Sequence, residues 1–264
     1  MIVSHLSKKY HTYCEDRCAV SNRVFAVIDG ATSLNTPADV YKKTAASRLA
    51  EYVKKSVLSN KEAFDTNFFR SVSKRIYEEG NILDCSAGIA GAAIDGEILH
   101  LFSIGDCEVI YLLKDGSSFR FKRTDLDPFD AYATEQMVRL AQEKGISVKQ
   151  SRAYINDILV SNRAKKNIPG GYQIFESMKT PNFTMQIKDI PLKDVSCFYV
   201  CSDGFAQCFT TLGIFSSYKD LFTTSLTIEE IYNKIREVSF SDPDFNAFPR
   251  FKIIDDITVI KVEL

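Results

Sequence analysis

The sequence predicts an α+β fold in which antiparallel β-sheets carry α-helices on their outer faces. Four apolar runs follow one another between residues 86 and 122, and two of their connections, Asp95-Gly96 and Asp115-Gly116, are typical of tight hairpin turns. Residues with helical spacing come in blocks before and after these runs. Strands and helices therefore do not alternate as they do in a parallel βαβ sheet.

The predicted elements begin with a strand from Arg23 to Ile28. Two helices are predicted over 37–58 and 60–79, where Pro37 suits a first helical turn and Asn60 suits an N-cap. The hairpin strands are predicted over 86–94, 97–104, 108–113 and 119–122. The later predictions are helices over 130–144, 150–166 and 228–238, and strands over 184–188, 197–202 and 256–262.

The charge balance excludes several classes of function. The chain has 264 residues, with 33 Lys and Arg against 34 Asp and Glu, which gives a formal net charge of −1. This balance predicts no nucleic-acid partner and no anionic membrane surface. No window reaches the roughly 18 apolar residues of a membrane span, and Met1 to Lys9 lacks the apolar stretch of a signal peptide. We therefore predict one domain over 1–264, located in the cytoplasm.

Cysteine and histidine are poor candidates for a metal site. Only three histidines occur, and the seven cysteines include two Cys-x-x-x-Cys pairs, Cys14/Cys18 and Cys197/Cys201. Four thiolates could bind zinc, but the spacing differs from that of a zinc knuckle. The pattern around Cys197 predicts a buried strand, so reduced thiols in the core are favoured.

Acidic residues recur beside predicted strands. Asp29-Gly30 follows Val-Phe-Ala-Val-Ile, Asp203-Gly204 follows Phe-Tyr-Val-Cys-Ser, and Asp255-Asp256 precedes Ile-Thr-Val-Ile. Glu15-Asp16 lies shortly before the first strand. A glycine after the aspartate allows a sharp turn and brings a backbone carbonyl within reach of an ion, although a single Asp-Gly pair more often marks only a turn. Together these oxygen ligands favour Mg²⁺ or Mn²⁺.

The order of these motifs resembles that of the metal-dependent type 2C protein phosphatases, a family of serine/threonine phosphatases. The motifs occur over nearly the whole chain in the order Glu15-Asp16, Asp29-Gly30, Gly105-Asp106, Asp203-Gly204 and Asp255-Asp256-Ile-Thr-Val. The resemblance implies a four-layer αββα sandwich of two antiparallel β-sheets, with two Mn²⁺ or Mg²⁺ ions at one end. It also implies hydrolysis of phosphoserine or phosphothreonine in proteins by a hydroxide that bridges the two metals.

The resemblance assigns the principal metal ligands. Asp29 matches the carboxylate that bridges the two metals, and Gly30 matches the residue whose carbonyl binds one of them. Asp203 and Asp255 match the carboxylates that hold the other metal. These three aspartates would carry catalysis through metal-bound water.

Further roles follow from the same resemblance. Glu15 matches a ligand that acts largely through water, and Asp16 matches its companion in the water network. Asp106 matches a structural turn residue rather than a ligand. Asp125 matches a carboxylate near a third, weaker metal, and Asp127 competes with it for that role.

The phosphate-binding position departs from the family pattern. Many relatives carry an arginine four residues before the Glu-Asp pair, and this chain carries His11 there. The resemblance makes His11 the phosphate-binding residue, although an imidazole offers less than a bidentate guanidinium. Lys8, Lys9 or Arg17 could substitute for it, and an ordinary surface role for His11 stays open.

Two other positions also differ. Ala31 follows Gly30 where relatives often continue with His-Gly-Gly or Met-Gly-Gly, so the histidine that acts as general acid in some members is missing. Asp256 stands where Asn is frequent, either to tighten the site or to face solvent. These departures keep a second hypothesis open, a non-catalytic regulatory or binding module on the same fold. A small-molecule phosphatase is a lesser variant of the enzyme hypothesis, and the oligomeric state stays open.

Overall fold

Antiparallel β-strands form the centre of the molecule. The structure, a computed structural model, describes residues 1–10, 14–32, 44–80, 82 and 85–264. Within these ranges the strands are β1 (Ile2–Lys8), β2 (Arg17–Val20), β3 (Val24–Thr32), β4 (Cys85–Asp95), β5 (Ile98–Ile104), β6 (Glu108–Leu113), β7 (Ser118–Phe121), β8 (Phe175–Glu176), β9 (Gln186–Pro191), β10 (Val195–Cys201) and β11 (Ile257–Glu263).

The strands form two sheets that pack face to face. The 5-stranded sheet has the order β1-β11-β10-β6-β7, and the 6-stranded sheet has the order β2-β3-β4-β5-β9 with β8 beside β4. Each of these pairings is antiparallel. Buried apolar side chains, among them Phe25, Phe198 and Val200, fill the space between the sheets. The predicted α+β sandwich of two antiparallel sheets is confirmed.

Helices cover the outer face of each sheet. The helices in the described part of the chain are α1 (Ala45–Ser59), α2 (Thr66–Gly80), α3 (Asp127–Lys144), α4 (Val148–Ser151), α5 (Asn156–Arg163), α6 (Asp203–Thr210) and α7 (Ile228–Ser241). One apolar cluster joins α1 and α2 to the 6-stranded sheet, and another joins α6 and α7 to the 5-stranded sheet. Helix, sheet, sheet and helix therefore form four layers. None of the described helices is long and apolar enough to cross a membrane.

Strand β4 lies in the middle of the 6-stranded sheet and is rich in small residues. A Cβ atom on Gly91 would lie 2.3 Å from the ring of Phe102 on β5, so only a glycine leaves room for that ring. Phe102 in turn stacks on Phe64, with ring centroids 5.1 Å apart. The small residues of β4 thus let bulky neighbours fill the layer between the sheet and α2.

The start of α2 differs from the prediction. This helix begins at Thr66, where the carboxylate of Asp65 accepts a hydrogen bond from Phe68 N at 2.8 Å. Asn60 is not an N-cap, because it directly follows α1 and its N–H donates back to that helix. The predicted start at Pro37 lies outside the described residues, and α1 begins at Ala45.

The region after α3 is less regular than predicted. The predicted helix over 150–166 consists of α4, a 3-10 turn over Arg152–Ile155, and α5. This broken path lets Val148 and Ile155 both pack on the apolar side of α3. The strands β1 and β2 are missing from the prediction, since β1 buries only Leu6 and gives little apolar signal.

Candidate metal centre

Aspartates from separate segments meet at one end of the sandwich. Asp29 lies in β3, Asp203 is the first residue of α6 directly after β10, and Asp255 lies just before β11. These three side chains line one cavity of about 740 Å³, together with Asp106 from the turn between β5 and β6. The fold thus brings to one place the carboxylates that the sequence motifs single out.

Two glycines permit close backbone approaches at this end. Gly30 lies inside β3, so Asp29-Gly30 is not the sharp turn that the sequence predicts. A Cβ atom on Gly30 would lie 2.9 Å from a backbone oxygen of α1 and 3.0 Å from Glu15 O. A Cβ atom on Gly204 would lie 2.1 Å from Asp256 O. The glycines are needed because the neighbouring backbones approach too closely for a side chain.

Asp106 belongs to the cluster, although the sequence assigns it only to a turn. Asp29, Asp106 and Cys107 each offer a ligand atom, and these atoms lie within 4.8 Å of one another. Gly88 pairs with Asp29 across β3 and β4, and a Cβ atom there would lie 2.4 Å from Asp106 Oδ1. The glycine opposite Asp29 makes room for the carboxylate. The signal for Asp106 therefore exists in the sequence, but it requires the register between the two strands.

Burial and mutual repulsion disfavour the charged forms of these carboxyls. Burial, followed by repulsion from Asp255 and Asp106, raises the pKa of Asp203 to about 7. Burial, followed by repulsion from Asp16 and Asp203, raises the pKa of Asp29 well above its ordinary value. If all of these carboxyls were ionised, the surrounding side chains would not compensate their negative charge.

Asp16 has a buried carboxylate with little compensation from its surroundings. It is 2% exposed, and neither of its oxygens has a hydrogen-bond partner of ordinary geometry among the described residues. The pKa of Asp16 is raised to about 8, chiefly by burial. The nearby Thr258 hydroxyl partly offsets this rise, and repulsion from Asp256 adds to it. Asp203 Oδ1 is likewise buried without a partner. Unpaired buried carboxylates are costly, so these hard oxygen donors fit divalent cations such as Mg²⁺ or Mn²⁺.

The loop that carries Glu15 and Asp16 is held in place by Asp256. Asp256 Oδ1 accepts a hydrogen bond from Tyr10 N at 2.9 Å, and Oδ2 accepts one from Glu15 N at 2.8 Å. The side chain is buried and does not face solvent. An aspartate offers one oxygen to each of the two N–H groups, whereas an asparagine has only one oxygen to share. Asp256 therefore positions the loop.

Two of the alternatives to His11 for phosphate binding, Arg17 and Lys8, make contacts elsewhere. The Arg17 guanidinium donates to two backbone oxygens of its own loop at 2.9 and 2.7 Å and to Glu51 Oε2 on α1 at 2.8 Å. These contacts tie the loop to α1 and occupy the Arg17 donors; a phosphate-binding role for Arg17 stays a prediction. Lys8 pairs with Glu229 at 3.2 Å. His11 itself lies outside the described residues, and its role stays a prediction.

Asp125 lies in the loop between β7 and α3. Its Oδ2 accepts hydrogen bonds from the Arg123 guanidinium at 3.0 and 2.8 Å. The competing residue, Asp127, accepts one from Lys122 Nζ at 2.6 Å. The carboxylate from this region that lines the cavity is that of Asp130. A third-metal role for Asp125 stays a prediction.

The cysteines do not form a zinc site in the described part of the chain. All seven are free thiols, and Cys107 is the one cysteine that belongs to a metal-type cluster of described residues. Cys197 and Cys201 are buried in β10, as the strand pattern predicts. Cys14 and Cys18 are only half-buried, so they are not core residues in the full sense.

Basic side chains line the same cavity as the aspartates. They include Arg152, Arg163 and Lys252. Burial, followed by repulsion from Arg163, lowers the pKa of the Arg152 guanidinium. Within the described residues Arg152 has neither an ion-pair partner nor a hydrogen-bonded acceptor for its side chain, whereas Lys252 donates to Asp255. The sequence predicts only a helix around Arg152, so nothing in its pattern indicates that this side chain reaches the cavity.

Solved structures of bacterial serine/threonine phosphatases share this fold. The serine/threonine phosphatase Stp1 from Staphylococcus aureus shares 12% identity at a TM-score of 0.56, over 99% of this chain and 94% of that one. The Mycobacterium tuberculosis serine/threonine phosphatase PstP/Ppp shares 13% identity at a TM-score of 0.57, over 100% and 98% of the two chains. The catalytic domain of the serine threonine protein phosphatase PstP in complex with 2 manganese ions shares 13% sequence identity at a TM-score of 0.53. The match covers 99% of this chain and 97% of that one.

Sequence comparison points to the same family. Curated protein sequences give no match to the chain. The family model for protein phosphatase 2C, in contrast, matches residues 4–238. The matched segment includes Glu15-Asp16, Asp29-Gly30 and Asp203-Gly204, and Asp255 follows it in the chain. The family model covers most of the chain, and the solved structures have the same fold as this chain. The chain belongs to the protein phosphatase 2C family.

Proposed function

We propose that the chain is a phosphatase that uses Mn²⁺ or Mg²⁺ to hydrolyse phosphoserine and phosphothreonine in proteins. The observation that carries the proposal is the set of buried, partnerless carboxylate oxygens of Asp16 and Asp203 at the end of the sandwich that holds the cavity of about 740 Å³. Family membership supports a phosphoprotein substrate. The PstP catalytic domain described with two manganese ions supports two ions here.

The residues that would hold the ions are Asp29, Asp203 and Asp255, which line the cavity. The Gly30 carbonyl, Glu15 and Asp16 complete the expected set. Bound there, divalent cations supply an activated water and positive charge for the phosphoryl oxygens. The chain needs no nucleophilic serine or cysteine for this chemistry.

Phosphate recognition falls to the basic side of the cavity. Arg152 lines the cavity and has no acidic partner among the described residues, so its donors stay available to an anion. A guanidinium can bind two phosphate oxygens at once, which an imidazole at position 11 cannot. We therefore assign a substrate-binding role to Arg152, alongside the predicted role of His11.

Hydrolysis of p-nitrophenyl phosphate and of a phosphothreonine peptide by the purified chain with Mn²⁺ tests the proposal. We expect turnover that EDTA abolishes, and we expect Asp203→Asn to lower kcat/KM by at least about 10³-fold because a metal-binding carboxylate is removed. Arg152→Ala should raise KM for the peptide roughly tenfold. Activity that survives EDTA would contradict the proposed chemistry.

The second candidate is a non-catalytic binding or regulatory module. His11 and Ala31 favour it, because both stand where relatives carry residues that assist phosphate binding or turnover. Calorimetry separates the two candidates. Stoichiometric binding of Mn²⁺ without turnover of several phosphopeptides would favour the module, whereas binding with turnover supports the enzyme.

A further inference from the structure

One carboxylate of the cluster already has a cation. Lys252 Nζ donates to Asp255 Oδ1 at 2.8 Å and to Asp255 Oδ2 at 2.7 Å. A single ammonium thus engages both oxygens of one residue that lines the cavity. Asp16 and Asp203, in contrast, keep buried oxygens without a partner.

The position of Lys252 lets it leave this contact. It lies three residues before Asp255, in the segment between α7 and β11, and its side chain is 52% exposed against 20% for that of Asp255. A half-exposed lysine on four methylene groups reaches solvent by rotation about its own side-chain bonds. Asp255 Oδ1 also accepts from Asp256 N at 2.9 Å, which fixes the carboxylate while the lysine moves.

The charges around Lys252 favour its ammonium form. Its Nζ donates to both oxygens of Asp255, and Asp203 and Asp29 line the same cavity. The ammonium is therefore a positive charge beside the three proposed metal ligands. Since a lysine ammonium offers only hydrogen-bond donors, it cannot share the two Asp255 oxygens with a metal in the same geometry.

We propose that Lys252 is an internal cation that competes with the divalent metal for Asp255. The inference rests on the proposed function, because it takes Asp255 as a metal ligand. Lys252 must withdraw before a metal binds both oxygens of Asp255. The position at Asp203 and Asp255 therefore fills at higher metal concentration than the position on the side of Glu15 and Asp16, and at low metal concentration Lys252 partly compensates the acidic cluster.

Titration calorimetry with MnCl₂ alone tests this competition. The wild-type chain should bind Mn²⁺ in two steps of unequal affinity. Lys252→Gln should tighten the weaker step roughly fivefold, the size expected for a partly exposed ion pair, and leave the tighter step unchanged. Lys252→Arg keeps the positive charge, so both of its Mn²⁺ affinities should equal those of the wild type.

Lys122→Gln is the matched control, because Lys122 lines the same cavity but pairs with Asp127 at 2.6 Å. We expect its weaker step to stay within twofold of the wild type. An equal gain in Lys122→Gln and Lys252→Gln would show a general effect of cavity charge and overturn the assignment to Lys252. Unchanged binding by Lys252→Gln would overturn this inference alone. Failure of every chain to bind Mn²⁺ would overturn the proposed function with it.

Discussion

Two buried aspartates at different places in the molecule have opposite surroundings. Asp242, at the end of α7, is 8% exposed and accepts hydrogen bonds from the backbone N–H groups of Asn246, Ala247 and Phe248 and from Arg250 Nη1 at 2.8 Å. Asp16 is 2% exposed and has no ordinary hydrogen bond among the described residues. Burial alone raises the pKa of any carboxyl, so the difference lies in the partners.

The partners decide what each aspartate does. Burial raises the pKa of Asp242, but the Arg250 guanidinium and the backbone N–H groups lower it below the ordinary value. They also hold the loop in which Phe245 adopts φ 62°, a conformation that is costly for a bulky residue. The pKa of Asp16 is raised to about 8. The satisfied carboxylate of Asp242 is thus structural, whereas the unsatisfied carboxylate of Asp16 stays available to a cation.

The largest expected effect concerns the satisfied aspartate. Asp242→Ala leaves the buried Arg250 guanidinium without its acidic partner, so we expect the free energy of unfolding to fall by about 3–5 kcal/mol. Urea denaturation followed by circular dichroism measures it. The Mn²⁺ affinity per folded molecule should stay unchanged, and a large loss of affinity would break the distinction between the two aspartates.

Asp16→Asn should change the free energy of unfolding in the opposite direction to Asp242→Ala. Removal of an uncompensated buried charge should raise the metal-free unfolding free energy at pH 7.5 by about 1 kcal/mol. The same substitution should weaken Mn²⁺ binding in calorimetry. A metal-free chain that Asp16→Asn destabilises would mean that the carboxylate has partners of its own.

The pH dependence of metal-free stability separates the two kinds of aspartate. The pKa values of Asp16 and Asp203 are raised to about 8 and about 7, so the folded chain binds protons more tightly than the unfolded chain does. The free energy of unfolding should therefore fall as the pH rises from about 5 to 8. The slope is about 1.4 kcal/mol per pH unit for each proton that the folded chain binds in excess of the unfolded chain. The lowered pKa of Asp242 contributes stability that is lost only below its ordinary range.

Urea midpoints at pH 5.5, 6.5 and 7.5, with EDTA or with Mn²⁺, measure this dependence. Saturating Mn²⁺ should remove the decline, because a bound cation replaces the protons. Stability in EDTA that rises across the same range would contradict the raised pKa values of the cluster.

A smaller effect is expected at Asp256. Asp256→Asn leaves a single side-chain oxygen for Tyr10 N and Glu15 N, so one of these two partly buried N–H groups loses its acceptor. We expect a loss of about 1 kcal/mol in unfolding free energy. Mn²⁺ should bind a few-fold more weakly because the Glu15 loop is less well held. An unchanged affinity in calorimetry would show that the loop position does not matter for the ions.

The smallest effect is expected at Asp125. Its Oδ2 is engaged by Arg123, and the side chain is not among those that line the cavity. Asp125→Asn should therefore leave the affinities of the two tightest Mn²⁺ steps within about twofold. A third, weaker binding step that disappears in this variant would support the predicted third-metal role instead.

The sequence predicts the fold better than it predicts the surroundings of the site. The meander of β4 to β7 follows from alternating apolar runs and Asp-Gly turns, which are local signals. The strand β1 has no comparable signal, because its pairing with β11 joins the two ends of the described chain. The motif order also singles out Asp29, Asp203 and Asp255, which the fold then brings together.

Contacts over long sequence distances explain what the sequence does not show. Asp106 enters the cluster only because Gly88 faces Asp29 in the β3–β4 register. Arg152 reaches the cavity from a 3-10 turn, whereas the sequence pattern predicts a continuous helix over 150–166. The hydrogen bonds of Asp256 to the Glu15 loop span 241 residues of sequence or more, which no local pattern reveals.

Anomalous diffraction at the manganese edge, from crystals of the wild-type chain soaked in MnCl₂, tests the central claim most directly. The proposed metal centre predicts two strong peaks at the acidic end of the sandwich, both in contact with Asp29 and one of them also with Asp203. Crystals that diffract well and show no peak in contact with Asp29 or Asp203 would contradict it.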